Sequence, residues 1–568
     1  MTVMRHDADT AGWPMRPWLM AAICAFAGWA FFLLTDRVYP AEIPVVRQAL
    51  ATFVAIAAIA FVITVEQRRW LWSLGFALGW GGVIALVGWF TASYNRSPTI
   101  FEFPFLSGVF AVLLAAPLFQ TVRDEGAWRF PYARLHSHAW TDAVIGFAAL
   151  VFVGMSFLLA WLIAGLFDLI GIKAVKDLLN EDWFGWTLAG FAFGAAVGIL
   201  RERDALVGTL QRLVMVIFGV LAPVLAAALT LFLLSLPFTG LGKLWASSIP
   251  ATPLMLVAGA GAILLANAVI GNGTDDRSTN RVLRASAMLL VLCVLPLALI
   301  GAVSLGQRID QYGWTPERIW GVVAVAIALG YGIAGWWSVA KGRAAFDDRL
   351  RPLQTKLALA MCGLALFLAV PILDFGAISA KSQIARLDSG KVKAEEFDWI
   401  AMAFDFGKAG RNHLARIEKS GIAGQRGLAK AALQSKNRYS LGTETQSVAE
   451  QSRLGQYLRL LSPDIALTAE LRSEITNGWQ GCNDRPCALV RLDQNRLLLV
   501  TSATGNDIVR SRIILVDSLG KDQQELASAI ARKAAVKNVD LRSVPIEIRA
   551  VQRRQLFVGG KPVDEPFE

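Results

Sequence analysis

Eleven stretches of the chain are apolar for long enough to cross a bilayer as helices: residues 17–34, 48–65, 70–91, 103–120, 143–168, 183–200, 213–236, 252–270, 285–305, 319–340 and 355–373. A hydrocarbon core of about 30 Å takes about 20 helical residues, which sets the criterion. The run at 143–168 is longer than needed, which predicts a tilted helix. The run at 103–120 is interrupted by Pro104 and Pro117, tolerable where neighbouring helices satisfy the freed carbonyls. After residue 374 no spanning run occurs. Apolar residues recur at helical spacing over 377–387, 394–404, 412–419 and 424–434. A further amphipathic helix is predicted over 445–461, with Leu454, Tyr457, Leu458 and Leu461 on one stripe. Beyond Cys487 the texture becomes strand-like at 488–492, 496–501, 512–517, 546–551 and 555–558, with a helix at 523–534. The prediction is a mainly α protein. A polytopic α-helical membrane bundle of about 11 spans covers residues 1–374. A helical segment at 375–478 and a small β-rich subdomain at 479–568 then form an α+β domain.

Composition agrees with a membrane protein: 55% of the 568 residues are hydrophobic and only 17% charged, where soluble domains carry about 25% charged residues. The 19 Trp suit anchoring at headgroup level. Arg5 and Arg16 ahead of the first apolar run resemble a signal peptide. The run is too long for one and no small-residue cleavage site follows, so it reads as an uncleaved span.

Loop charge adds an orientation. Segments on one side of the alternating spans carry 17 Lys and Arg, including Arg68, Arg69, Arg123, Arg201, Arg277, Arg284 and Arg351; those on the other side carry eight. Basic residues are retained on the cytoplasmic side. The N-terminus is therefore expected in the cytoplasm and, after an odd number of spans, residues beyond 374 on the far side. That region holds 29 basic and 22 acidic residues, +7 of the chain's +11. Thr315, Pro316 and Glu317, and likewise Asn180 ahead of Glu181 and Asp182, read as helix starts.

Catalytic motifs are sparse. No span interior contains Lys, Arg, Asp, Glu or His, and the most polar mid-span group is Asn267, read as an interhelical hydrogen-bonding residue. A coupled transporter usually places charge inside the membrane. The sequence has no phosphate-binding loop, no His-Glu-x-x-His and only four His, so neither a cofactor nor a metal site is expected. Two acids after the first span, Asp36 and Glu42, could act as general base in a transferase that modifies a lipid-linked or glycosyl acceptor. Lys243, Trp245, Trp314, Glu317 and Arg318 fall on the far side, where basic groups beside aromatics can hold an anionic headgroup.

Three sets of strings then carry a resemblance: Leu236-Pro237-Phe238-Thr239-Gly240-Leu241 with Leu244-Trp245; Asn267-Ala268-Val269; and Tyr312-Gly313-Trp314-Thr315-Pro316-Glu317-Arg318. Ala380-Lys381-Ser382-Gln383-Ile384-Ala385-Arg386-Leu387, Phe397-Asp398 and Phe404-Asp405-Phe406-Gly407 follow in the same order. The chain resembles the domain-of-unknown-function 4153 family across about residues 140–415. The resemblance implies a bacterial inner-membrane protein and carries over no reaction or catalytic residue. The far side is then the periplasm.

Cys482 and Cys487 lie outside the spans, whereas Cys24, Cys293 and Cys362 lie within them. In an oxidising compartment so close a pair is expected to form a disulfide. The spacing is not that of a thioredoxin-like redox pair, and no second pair completes a metal site. The favoured function is non-catalytic: an envelope anchor presenting a periplasmic module to a protein, a lipid headgroup or an acidic polymer, with the lipid bilayer as its other partner and no nucleic acid. A membrane-embedded transferase and a transporter are the alternatives.

Overall fold

The computed structural model describes residues 13–36, 43–94, 98–240, 242, 250–273, 277–394, 396–435, 438, 454, 458–462, 464–476, 482, 487–502, 509–516, 554–558 and 561–567. The chain divides into two compact units. One holds Met1–Ala385 with Phe404–Arg411, the other Arg386–Ala403 with Asn412–Glu568.

In the first unit each of the eleven apolar runs forms a helix over most of its length, the last run, 355–373, leaving the helix after Ala369. The helices are α1 (Arg16–Thr35), α2 (Val45–Thr64), α3 (Trp70–Tyr94), α4 (Pro98–Glu125), α5 (Tyr132–Leu169), a short α6 (Ala174–Asn180), α7 (Asp182–Glu202) and α8 (Asp204–Thr239). They continue as α9 (Ala251–Ile270), α10 (Arg281–Tyr312), α11 (Pro316–Gly342), α12 (Phe346–Ala369) and α13 (Phe375–Asp388). Ten helical segments meet the length and apolarity of a membrane span. The tenth, Pro316–Ala369, holds two of the predicted runs: α11 and α12 meet through a 3₁₀ turn at Arg343–Ala345 and pack against each other. The protein is thus a multi-pass membrane protein. Helix α4 runs unbroken through Pro104 and Pro117. Helix α5, with 38 residues, is about 57 Å long at 1.5 Å per residue, so one end projects well past a bilayer core.

Helices in lipid gain nothing from burying apolar area against each other, so close approach through small residues does that work. Helix α7 shows it with Gly190, Gly194 and Gly198, one every four residues. A Cβ at these positions would overlap the Cys24 carbonyl, the Met20 carbonyl and the Pro17 backbone of α1. Gly28 of α1 meets the Trp186 carbonyl in the same way. A second core gathers α8, α9, α10 and α12 around Leu290, Leu297, Ala262 and Leu350.

In the second unit four strands form one sheet: β1 (Leu458–Leu460), β2 (Cys487–Arg491), β3 (Arg496–Ser502) and β4 (Val509–Leu515), in that order. Strand β1 runs parallel to β2; the other pairs are antiparallel. Leu497, Leu498, Leu499 and Val500 of β3 are all buried, as befits a strand covered on both faces. β5 (Arg554–Val558) and β6 (Lys561–Phe567) form a separate hairpin. Helices α14 (Gly407–Ser420), α15 (Ala423–Gln434) and α16 (Ala469–Thr476) complete the described elements.

Several local expectations change. Leu458–Leu460, the end of the helix predicted over 445–461, is a strand because its backbone pairs with Cys487–Leu489. The helix predicted over 394–404 is helical only from Trp399, passing into a π-turn at Ala401–Asp405. Trp399 Nε1 donates to the Ala394 carbonyl, and Asp398 Oδ1 accepts from Ala401 N, so the preceding residues form turns. Asn180 ends α6, and Glu181 takes the cap position of α7. The helix predicted at 523–534 and the strand at 546–551 lie outside the described residues.

Candidate functional site

Asp36 is exposed at the C-terminal end of α1, where Arg47 of α2 donates to the carbonyls of Leu33 and Asp36. Glu42, Lys243 and Trp245 lie outside the described residues. Glu317 and Arg318 lie in the first turn of α11, and Trp314 sits in the turn between α10 and α11. Gly313, at φ 77, permits that turn. Arg318 donates to the Gly313 carbonyl at 2.6 Å and lies over the Tyr312 ring at 5.3 Å. From α13, Gln383 Nε2 donates to the carbonyls of Tyr312 at 2.9 Å and Trp314 at 3.0 Å, and Ser382 Oγ accepts from Trp314 N. Two of the strings that carry the family resemblance, 312–318 and 380–387, therefore meet in space and lock one another. Glu317 stays exposed in the first turn of α11.

At the opposite end of the bundle, helix-end charges from distant parts of the chain come together. There Arg123 of α4 is buried and donates to the Thr64 carbonyl, Glu66 and Asp124. Arg69 donates to the Arg123 carbonyl, and His138 pairs with Asp124 at 3.0 Å. One turn further along α5, Asp142 accepts from Arg201 of α7 at 3.0 Å and from Gln120 of α4 at 2.8 Å. Arg16 of α1 closes the set on the carbonyls of Val65 and Arg201. Five helices are tied by one network. Glu66, just outside α2, has its carboxyl held above the usual range: burial outweighs the neighbouring Arg123, Arg201 and Arg69 charges.

A second polar group lies at the same end, since it too includes the start of α5. Asp347 of α12 is 2% exposed and faces Arg351 at 2.9 Å, Arg277 at 3.7 Å and Arg284 at 3.9 Å. Arg351 also donates to Asp348 and to the carbonyls of Ile270 and Gly273. One turn on, Gln354 donates to Asn267 Oδ1 at 2.6 Å, so Asn267 makes the interhelical bond its sequence context predicts. The Arg351 charge also acts on Tyr132 and His136 of α5, whose rings are 5.0 Å apart. The available sequence signal was the spacing of Asp347, Arg351 and Gln354, which places all three on one helix face.

In the second unit Cys482 and Cys487 form a disulfide with Cα atoms 5.8 Å apart. Both are buried in the core with Leu454, Ile475, Leu489 and Leu499. Cys487 opens β2, so the bridge ties the first residue of that strand to Cys482, five positions earlier. Among the described residues no group of three or more His, Cys, Asp or Glu is placed to hold a metal ion.

No curated protein and no solved structure matches the chain. One family model does, across residues 51–403, more than half of the sequence and including Asn267, the Tyr312–Arg318 turn, its partner helix α13 and both buried polar groups except Arg16. The chain belongs to the family described as a domain of unknown function, DUF4153.

Proposed function

We propose that this is a bacterial inner-membrane protein whose helical bundle anchors an α+β module in the periplasm, and that the module binds an envelope partner without catalysing a reaction. The observation that carries the reading is the Cys482–Cys487 disulfide in the core of the second unit, a bond that persists in oxidising compartments. The excess of Arg and Lys in alternate loops supports the same sidedness. The net positive charge of residues 375–568 suits an acidic polymer, an anionic headgroup or an acidic protein surface.

The test is thiol trapping in intact cells. With Cys24, Cys293 and Cys362 replaced by Ser, Cys482 and Cys487 should resist a maleimide until reductant is added. Two thiols that react before reduction would overturn the periplasmic placement. A phosphatase reporter fused after residue 375 should be active only on the periplasmic side.

A further inference from the structure

We infer that the second unit docks on the anionic phospholipid surface of the bilayer its own chain spans, through the junction of α14 and α15. The inference rests on the proposed reading of this unit as the binding module, and it names the surface that binds. Charge is concentrated at this junction. Residues 407–434 carry six basic side chains and one acid, Glu418. That is +5 in 28 residues, against +7 for all 194 residues of 375–568. Flanking acids do not cancel it, since residues 386–461 as a whole hold 13 basic and eight acidic side chains.

The helices turn that charge outward. Arg416, Lys419, Arg426 and Lys430 are all exposed, whereas Leu414, Ile417, Leu428 and Ala432 of the same helices are buried. Between the helices stands Ile422, which is 73% exposed. It is the most exposed large apolar side chain among the described residues of this unit; the next, Leu461, is at 48%. Ile422 caps α15, and its carbonyl accepts from Arg426 N at 2.9 Å. Arg426 therefore follows it by one helical turn, and Lys419 precedes it by three residues.

An outward apolar side chain among cations selects the partner. A soluble acidic polymer would use the charges and leave Ile422 in water. A bilayer interface takes both, because the apolar tip enters between headgroups while the cations meet lipid phosphates. The spans tether the module to one bilayer, so that surface is offered at far higher effective concentration than any soluble partner.

The experiment uses the full chain in nanodiscs of phosphatidylcholine, alone or mixed with phosphatidylglycerol. It follows amide hydrogen exchange over residues 416–430 by mass spectrometry. Exchange in the mixed discs should be slower by about fivefold or more at low salt, the worth of one basic residue at an anionic surface. High salt should restore the phosphatidylcholine rate. Lys419→Ala combined with Arg426→Ala, and separately Ile422→Ser, should each bring the mixed-disc rate to within about twofold of the phosphatidylcholine rate. All three side chains are exposed, so both variants should keep the parent melting temperature. Equal parent rates in the two discs, or full slowing in both variants, would overturn the inference. Slowing that soluble polyglutamate produces in phosphatidylcholine discs, and that survives Ile422→Ser, would assign the surface to an acidic polymer and also overturn it. Thiol trapping reads the compartment alone, so reactive thiols would overturn the periplasmic placement and leave the exchange result standing.

Discussion

Two groups of buried charge lie at the same end of the bundle, are built from the same residue types and share helix α5, yet they differ in completeness. Around Arg123 and Asp142, guanidinium, carboxylate, amide and carbonyl groups are matched across five helices. Around Arg351, ion pairs to Asp347 and Asp348 form on one side, while Tyr132 Oη, His136 Nε2, Arg351 Nε and Gln354 Oε1 are buried without a hydrogen-bond partner. A satisfied network rigidifies; an unsatisfied buried group costs stability. The difference teaches that buried charge in this protein is matched across helices in one group and left partly unmatched in the other.

The largest test of that contrast is Arg123→Leu. It takes a buried guanidinium away from Glu66, from Asp124, which keeps His138, and from the Thr64 carbonyl, and charge-assisted hydrogen bonds contribute about 1.5–3 kcal/mol each. The variant should show a sharply lower melting temperature in detergent and poor accumulation in membranes. Gly194→Val attacks the α1–α7 contact beside the network rather than the network itself. Its side chain would have to displace the Met20 carbonyl, and overpacking of this kind costs about 1–3 kcal/mol. Thermal unfolding of the two variants ranks charge pairing against packing. Asp142→Asn keeps one acceptor oxygen for Gln120 or Arg201, sets its amide NH2 against the other donor and removes the ion pair, so a loss of about 2 kcal/mol is expected. Tyr132→Phe, on the incomplete side, removes a buried hydroxyl that has no partner and should be at least as stable as the parent. A loss as large as that of Asp142→Asn would erase the distinction between the two groups.

The smallest effect is a pH slope. Because the folded-state value of Glu66 lies above its unfolded one, the folded protein holds a proton that the unfolded chain releases. Glu66 therefore lowers stability as pH rises from the ordinary glutamate value through its raised one, and the loss persists above that window. In Glu66→Gln this contribution to the acid-side slope should vanish from pH-dependent unfolding curves. A change of slope in the opposite sense would mean that the Arg123 charge, not burial, governs Glu66.

Much of the bundle was legible because bilayer thickness imposes a length on every apolar run, and each of the eleven runs is helical over most of its length. Strands β2 and β3 were legible from their apolar content. Strand β1 was not. Leu454, Tyr457, Leu458 and Leu461 fit a helical stripe, and only pairing with Cys487–Leu489 draws Leu458–Leu460 into an extended conformation. The glycine contact was present as a four-residue spacing at Gly190, Gly194 and Gly198, but which helix they met was not.

By itself the sequence determined the membrane class, the helices, the asymmetry of loop charge and the closeness of the two extramembranous cysteines, because each depends on composition or spacing over a few residues. Tertiary structure alone decided which charges are partnered. Arg123 and Thr64 are 59 positions apart, Gln354 and Asn267 are 87 apart, and no local pattern encodes a bond across such a distance. Asp142, Arg201, Asp347 and Arg351 read as ordinary helix-end charges until the helices are brought together. Packing then removes them from water and makes each hydrogen bond, or its absence, matter.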